Sequence, residues 1–222
     1  MASNLKRAIF DAVDSRISQY GFTLKRSKER FERKRDGIRD LFQLVCPNDI
    51  PGYRIHPDVG MRFEIVEEIF HKTSGWNPKY QKDTPTIGAG VGHIIADDNR
   101  KCEFRLKTEE DVPPVADKLA DVFRNFALPY YEKFSSLQAI DAEFNNSPTE
   151  RTRNRSGGWL RCSTGIIVAR LVGRPDYDEL AKIYTRVMEQ VDGGFYLKTF
   201  CALLESLQSI EPLINGQESQ VL

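Results

Sequence analysis

An α+β fold, an antiparallel sheet with helices packed on one face and then a helical C-terminal segment, is predicted by three features of this sequence. Stretches of period-two alternation gather between residues 22 and 107, a helical pattern precedes them, and only helical patterns follow. Strands alternating with helices would instead predict a doubly wound parallel sheet.

The first helix rests on Leu5, Ile9, Val13 and Ile17, which recur at four-residue spacing, with Gly21 placed to end it. "FTLKRSKERFERKRDG" then has strand character and closes on Asp36-Gly37, a hairpin-turn pair. Its charges read as a solvated face or as an edge that discourages aggregation. In "IRDLFQLVC", Phe42, Leu44 and Cys46 share one face. Val59, Met61, Phe63 and Ile65 alternate with Gly60, Arg62 and Glu64 as in a half-buried strand, and a short helix in "IVEEIFHKTSG" stops near Gly75. In "PTIGAGVGHII", Gly88, Gly90 and Gly92 are spaced G-x-G-x-G. A dinucleotide fingerprint needs its glycines between a strand and a helix. Here they precede the β-leaning "HII", so the stretch reads as a close-approach turn into a strand. Cys102, Phe104 and Leu106 alternate in a further strand.

Thr108 and Asp111 form a T-x-x-D helix start, followed by Val112, Val115, Leu119, Val122, Phe123 and Phe126 at helical spacing. A second amphipathic stretch holds Tyr130, Phe134, Leu137, Ile140 and Phe144. Residues 146–158 are polar, rich in turn formers and free of apolar residues, which predicts an exposed linker or long loop. It divides an α+β domain, 1–145, from a helical segment, 159–222. In that segment Asp176 with Glu179 can cap a helix carrying Leu180, Tyr184, Val187, Met188 and Val191.

Lys+Arg and Asp+Glu both number 32, a balance that argues against a dedicated nucleic-acid coat. No apolar run suits a signal peptide or a bilayer span, and the four cysteines are scattered without a CxxC pair, so a cytoplasmic, membrane-free protein is expected. His56, His71 and His93 share no metal-ligand spacing, and Glu67 with His71 reads as a solvated i,i+4 pair, so neither metal nor cofactor is expected. "HPDVGMRFEIV" resembles a metal-nuclease core in Pro57, Asp58 and Glu64, but Val66 stands where that core has lysine. In "RTRNRSGGWLR", Arg151, Arg153, Arg155 and Arg161 surround Trp159. Arginine beside an aromatic can hold phosphates and stack bases, and a flexible linker with a few arginines explains the same stretch.

"GFTLKRSKERFERKRDG", "MRFEI" and "CEFRLKTEEDVPPVADKLADVFRNFALPYYEKF", in that order, resemble an uncharacterised bacterial family, domain of unknown function 4304, over roughly residues 4–145. The family's helix ends in a Leu-Pro step before an aromatic, here Leu128-Pro129-Tyr130-Tyr131, with tyrosine where tryptophan is expected. The resemblance implies no reaction and no catalytic residues. The expectation is therefore a non-catalytic binding or accessory protein, immunity-like or part of a bacterial defence locus, with another protein as partner. Two alternatives stand beside it. One is a nucleic-acid-associated protein that uses Arg151, Arg153, Arg155, Trp159 and Arg161, and the other is a metal-dependent nuclease-like enzyme.

Overall fold

The computed structural model describes residues 2–213. In chain order the elements are α1 (Ala2–Ile17), β1 (Thr23–Lys25), β2 (Arg30–Arg35), β3 (Ile38–Val45), β4 (Asn48–Asp49) and β5 (Gly52–Phe63). Next come α2 (Glu64–His71), α3 (Pro78–Gln81), β6 (Ile87–Gly90), α4 (Val91–Ala96) and β7 (Phe104–Leu106). Helices complete the chain: α5 (Val112–Val122), α6 (Leu128–Lys133), α7 (Leu137–Asn145), α8 (Gly158–Leu171), α9 (Tyr177–Gln190) and α10 (Leu197–Leu207). The fold is α+β, an N-terminal sheet with helices and then a helical region from α7 to α10.

The chain divides into two compact units, each discontinuous in sequence. The first takes residues 1–35, 39–61 and 88–133 and contains most of the sheet. β1 pairs antiparallel with β2, setting Leu24 opposite Phe31, and β3 lies between β2 and β5. Tyr53 of β5 pairs with Asn48 of β4 on one edge and with Leu106 of β7 on the other. β6 also pairs with β5, and Gly88 makes that approach: an added side-chain carbon would lie 2.3 Å from the Val59 carbonyl oxygen, at a φ of +148°.

Phenylalanines show which face is covered. Phe10 of α1 packs on Phe31 of β2, ring centroids 6.0 Å apart, and Phe31 lies 6.3 Å from Phe42 of β3. Phe123, in a π-helical turn joining α5 to α6, meets Phe42 at 5.3 Å and Phe22 at 4.9 Å. The buried Tyr131 hydroxyl donates to the Leu41 carbonyl at 2.8 Å. The helices of this unit thus cover one face, as the alternation predicts. The Thr108 capping box is present, with Asp111 accepting from the Thr108 backbone N–H at 2.9 Å.

Several local expectations are corrected. "VGHII" is not a strand: Val91–Ala96 is helix α4, so Gly88 and Gly90 lie in a strand and Gly92 in the helix that follows it directly. Packing overrides the β preference of Ile94 and Ile95, because α4 lies so close to the following turn that a side-chain carbon on Gly92 would sit 2.6 Å from the Asn99 carbonyl oxygen. Cys102 lies in a 3-10 turn ahead of β7. Ile65 belongs to α2, because β5 stops at Phe63.

The second unit comprises the hairpin tip, Asp36–Ile38, residues 62–87 and the chain from Phe134 onward. Gly37, at a φ of +70°, makes the expected Asp36-Gly37 turn. The stretch from Tyr130 to Phe144 breaks into α6 and α7, because the Ser136 hydroxyl accepts from the Ala139 N–H at 3.2 Å and starts a new helix. α8 is buried on nearly every side and is clasped by α7 and α9. There Asn145 donates to the Gly165 carbonyl at 2.9 Å, and the Tyr184 hydroxyl donates to Asn145 Oδ1 at 2.6 Å. Asp176 precedes α9 without capping it, since Arg174 grips its carboxylate through two 2.8 Å bonds. Residues 214–222 of the expected helical segment lie outside the described residues. Among the described residues no helix is long and apolar enough to cross a membrane.

Two substitutions test this core. Phe123→Ala should cost about 3–5 kcal/mol, a fully buried aromatic in a site that cannot collapse. Tyr131→Phe should cost only about 1–2 kcal/mol, one buried hydrogen bond. Urea unfolding measures both, and equal losses would mean that Phe123 does not organise the aromatic core.

Candidate functional site

The second unit builds a polar network around one carboxylate. α2 carries Glu67 and His71 one turn apart, and Glu67 is 1% exposed. The solvated pair read from the sequence is therefore a buried one. Thr84 donates its hydroxyl to Glu67 Oε2 at 2.5 Å and Thr86 donates to Oε1 at 2.9 Å. Arg62, at the end of β5, donates to the Thr84 hydroxyl at 2.8 Å and stands 3.7 Å from Glu67.

Proton bookkeeping fixes the state of His71. With Thr84 giving its only hydroxyl proton to Glu67, the His71 Nε2 contact at 2.8 Å is a donation to Thr84. Burial, Arg62 and Arg155 push the His71 pKa down to about 4 and keep it neutral at pH 7, so its single proton lies on Nε2 and Nδ1 accepts from the Ser74 hydroxyl at 2.9 Å. Burial also raises the Glu67 pKa, against the opposing pull of Arg155, the two threonines and Arg62.

An aromatic cluster adjoins the network through His71. The His71 ring lies 5.8 Å from Trp76, Phe70 lies 5.4 Å from Trp159, and Trp159 stacks on Tyr196 at 4.4 Å with planes only 8° apart. Trp159 is buried, while Trp76 and Tyr196 are half-buried. Next to Tyr196, Phe195 is 77% exposed. It is held outward by three successive left-handed residues, Asp192, Gly193 and Gly194, with φ of 49°, 63° and 80°.

The five residues singled out in the sequence are placed differently from one another. Arg155 is buried and donates to the Pro85 carbonyl, and its charge acts on Glu67. Arg161 is buried and closes the end of α7, donating to the carbonyls of Phe144 and Ser147 at 2.8 Å and to that of Pro148. Trp159 joins the aromatic cluster, and Arg151 and Arg153 lie at the surface. The expected exposed linker is thus pinned along part of its length. Thr152 and Asn154 both donate to Glu143, at 2.5 and 2.6 Å, and Asn154 is buried. Composition misjudged it because polar side chains can be buried when they answer carbonyls and carboxylates.

Of the carboxylates read against a nuclease core, Glu64 opens α2 and pairs with Arg62 at 2.6 Å, while Asp58 lies on β5 in the first unit. The aromatic cluster went unread because its members are distant in sequence. The one local signal was the Asp-Gly-Gly turn before Phe195. No family model, curated protein or solved structure matches the chain.

The network makes stability depend on pH with a definite sign. His71 in the unfolded chain takes up its proton near its ordinary value of 6.5, but in the folded chain only near 4. Between these values the unfolded chain holds the extra proton, so the His71 contribution is present above about pH 6.5 and is lost as pH falls towards 4. Glu67, with its raised pKa, contributes in the opposite direction. Melting temperature followed from pH 7 to pH 4 should therefore fall less steeply in His71→Gln than in the parent, and parallel curves would remove the assigned role of His71.

Proposed function

We propose that this chain is a non-catalytic binding protein of the accessory or immunity-like kind, and that the aromatic face around Trp159 and Tyr196 engages another protein. The observation that carries this reading is Phe195. A phenylalanine 77% exposed, on a turn whose Asp192 sits in the left-handed region and beside a stacked Trp–Tyr pair, keeps an apolar ring in water. Aromatic rings on a rigid base are favoured contact residues in protein interfaces. The Trp76 indole N–H and the Tyr196 hydroxyl take no partner among the described residues, which leaves polar tips to orient a partner on the apolar face. Glu67 and His71, the groups best suited to acid–base chemistry in this unit, are instead engaged on every side in the network beneath.

The alternative partner, nucleic acid, would stack bases on the same rings beside Arg151 and Arg153. A photo-crosslinking residue placed at Phe195 in the native host separates the two readings, with the 95%-exposed Ile50 as control position. One defined protein adduct from position 195 and none from position 50 is expected, and a nucleic-acid adduct would favour the alternative. With the partner in hand, Phe195→Ala should weaken binding about 30-fold, the loss of one hot-spot aromatic, at unchanged melting temperature. Unchanged affinity would sink the aromatic face as the contact.

A further inference from the structure

Charge around the aromatic face of the second unit narrows the chemistry of its partner, an inference that rests on that face being a protein contact. Three segments meet there. Trp76 lies 6.5 Å from Trp159, and Trp159 stacks on Tyr196. A side-chain carbon on Gly158 would lie 2.9 Å from Val191 Cγ2, at the start of the turn that carries Phe195. α3 folds back on the Trp76 segment, since the Gln81 side chain donates to the Trp76 carbonyl at 2.8 Å.

The exposed charges on these segments are mostly of one sign. Residues 72–82 carry Lys72, Lys79 and Lys82, all exposed, and no acid. The acids that bound this stretch, Glu68 and Asp83, lie outside it, and Asp83 is half-buried. Lys79 stands over the Tyr80 ring at 5.7 Å, and that ring is itself 59% exposed. Lys198, three residues beyond Phe195 in the first turn of α10, is exposed as well. On the turn itself the one acid is Asp192. Lysines interleaved with exposed rings attract a partner that combines carboxylates with apolar side chains.

Phosphates of a nucleic acid or of a lipid surface would answer the lysines too, and two features argue against them. Asp192 is exposed three residues before Phe195, so a surface of phosphates closing on that ring would meet like charge. Tyr196 has Trp159 stacked against it and meets Phe195 edge-on, with planes 85° apart, which leaves these rings a poor platform for successive bases. A protein segment has no such conflict, because it can set carboxylates opposite the lysines and a neutral or basic group opposite Asp192. We infer that the aromatic face recognises an acidic segment of its partner protein, one in which carboxylates are interspersed with apolar side chains. The apolar side chains cover Phe195 and Tyr196, and the carboxylates pair with Lys79 and Lys198.

The test uses the full chain and four probes at low ionic strength. They are a labelled dodecapeptide of aspartate and glutamate interspersed with leucine, its asparagine and glutamine counterpart, single-stranded oligothymidine, and phosphatidylglycerol vesicles. The acidic peptide should bind with a dissociation constant of about 10–100 μM, and its amide counterpart about tenfold more weakly. Affinity for the acidic peptide should also fall about tenfold at about 0.3 M salt, where exposed charges are screened. Lys79→Glu combined with Lys198→Glu should weaken it about tenfold at unchanged melting temperature, because both side chains are exposed. No saturable binding of the acidic peptide, equal affinity for its amide counterpart, or tighter binding of oligothymidine or vesicles would each overturn the inference. Binding that is lost in Phe195→Ala but untouched by the lysine changes overturns the acidic partner and leaves the aromatic contact standing. Binding lost with the lysines but untouched in Phe195→Ala overturns both.

Discussion

Side chains on a strand alternate between two faces, and in β5 that rule governs both units. One register places Tyr53, Ile55 and Val59 in the core, and sets Arg54, His56 and Asp58 on the opposite face. A slip of one residue would turn charges into the core and bring apolar side chains to the polar face. The pairings Tyr53 with Asn48 and Tyr53 with Leu106, made on both edges, hold the strand against such a slip. Arg62, near the end of the same strand, is one of the cations of the Glu67 network, beside Arg155.

A buried carboxylate is tolerated only when donors surround it, and Glu67 has them from several parts of the chain. Thr84 and Thr86, from the segment before β6, donate to it, His71 supports Thr84 from the next turn of α2, and Arg155 adds its charge from the loop between α7 and α8. The network therefore does more than neutralise a charge. It ties segments that share no secondary structure, and the loop holding Arg155 owes its order to carbonyl and carboxylate partners, not to apolar burial. The same logic applies to Arg161, which completes the end of α7. Arg155 and Arg161, which look in sequence like part of a surface for polyanions, act here as long-reach donors.

Rigidity of this kind suits a binding face. The Trp159–Tyr196 stack rests on Phe70 and Trp76, which pack on the His71 ring, so the rings are presented on a base that hydrogen bonds hold in place. An aromatic contact that loses little entropy on binding is worth more than an equal area of mobile surface.

The elements with strong period were legible in the sequence: α1 from Leu5, Ile9, Val13 and Ile17, the Asp36-Gly37 turn, the alternation in β5, and the Thr108–Asp111 start. Each depends on neighbours within a few residues, so local sterics and hydrogen bonding decide it. What the sequence misjudged depended on distant partners. Ile94 and Ile95 favour a strand locally, but close packing made them helix α4. Glu67 and His71 are spaced like a solvated pair until Thr84, Thr86 and Arg155 enclose them. The aromatic cluster draws on residues tens of positions apart. The sequence by itself determined the α+β class, the alternating pattern of the strongest strand and the helix start at Thr108–Asp111. Only the tertiary structure decided which charges are buried and which rings face water, because burial is set by what the rest of the chain places against a side chain.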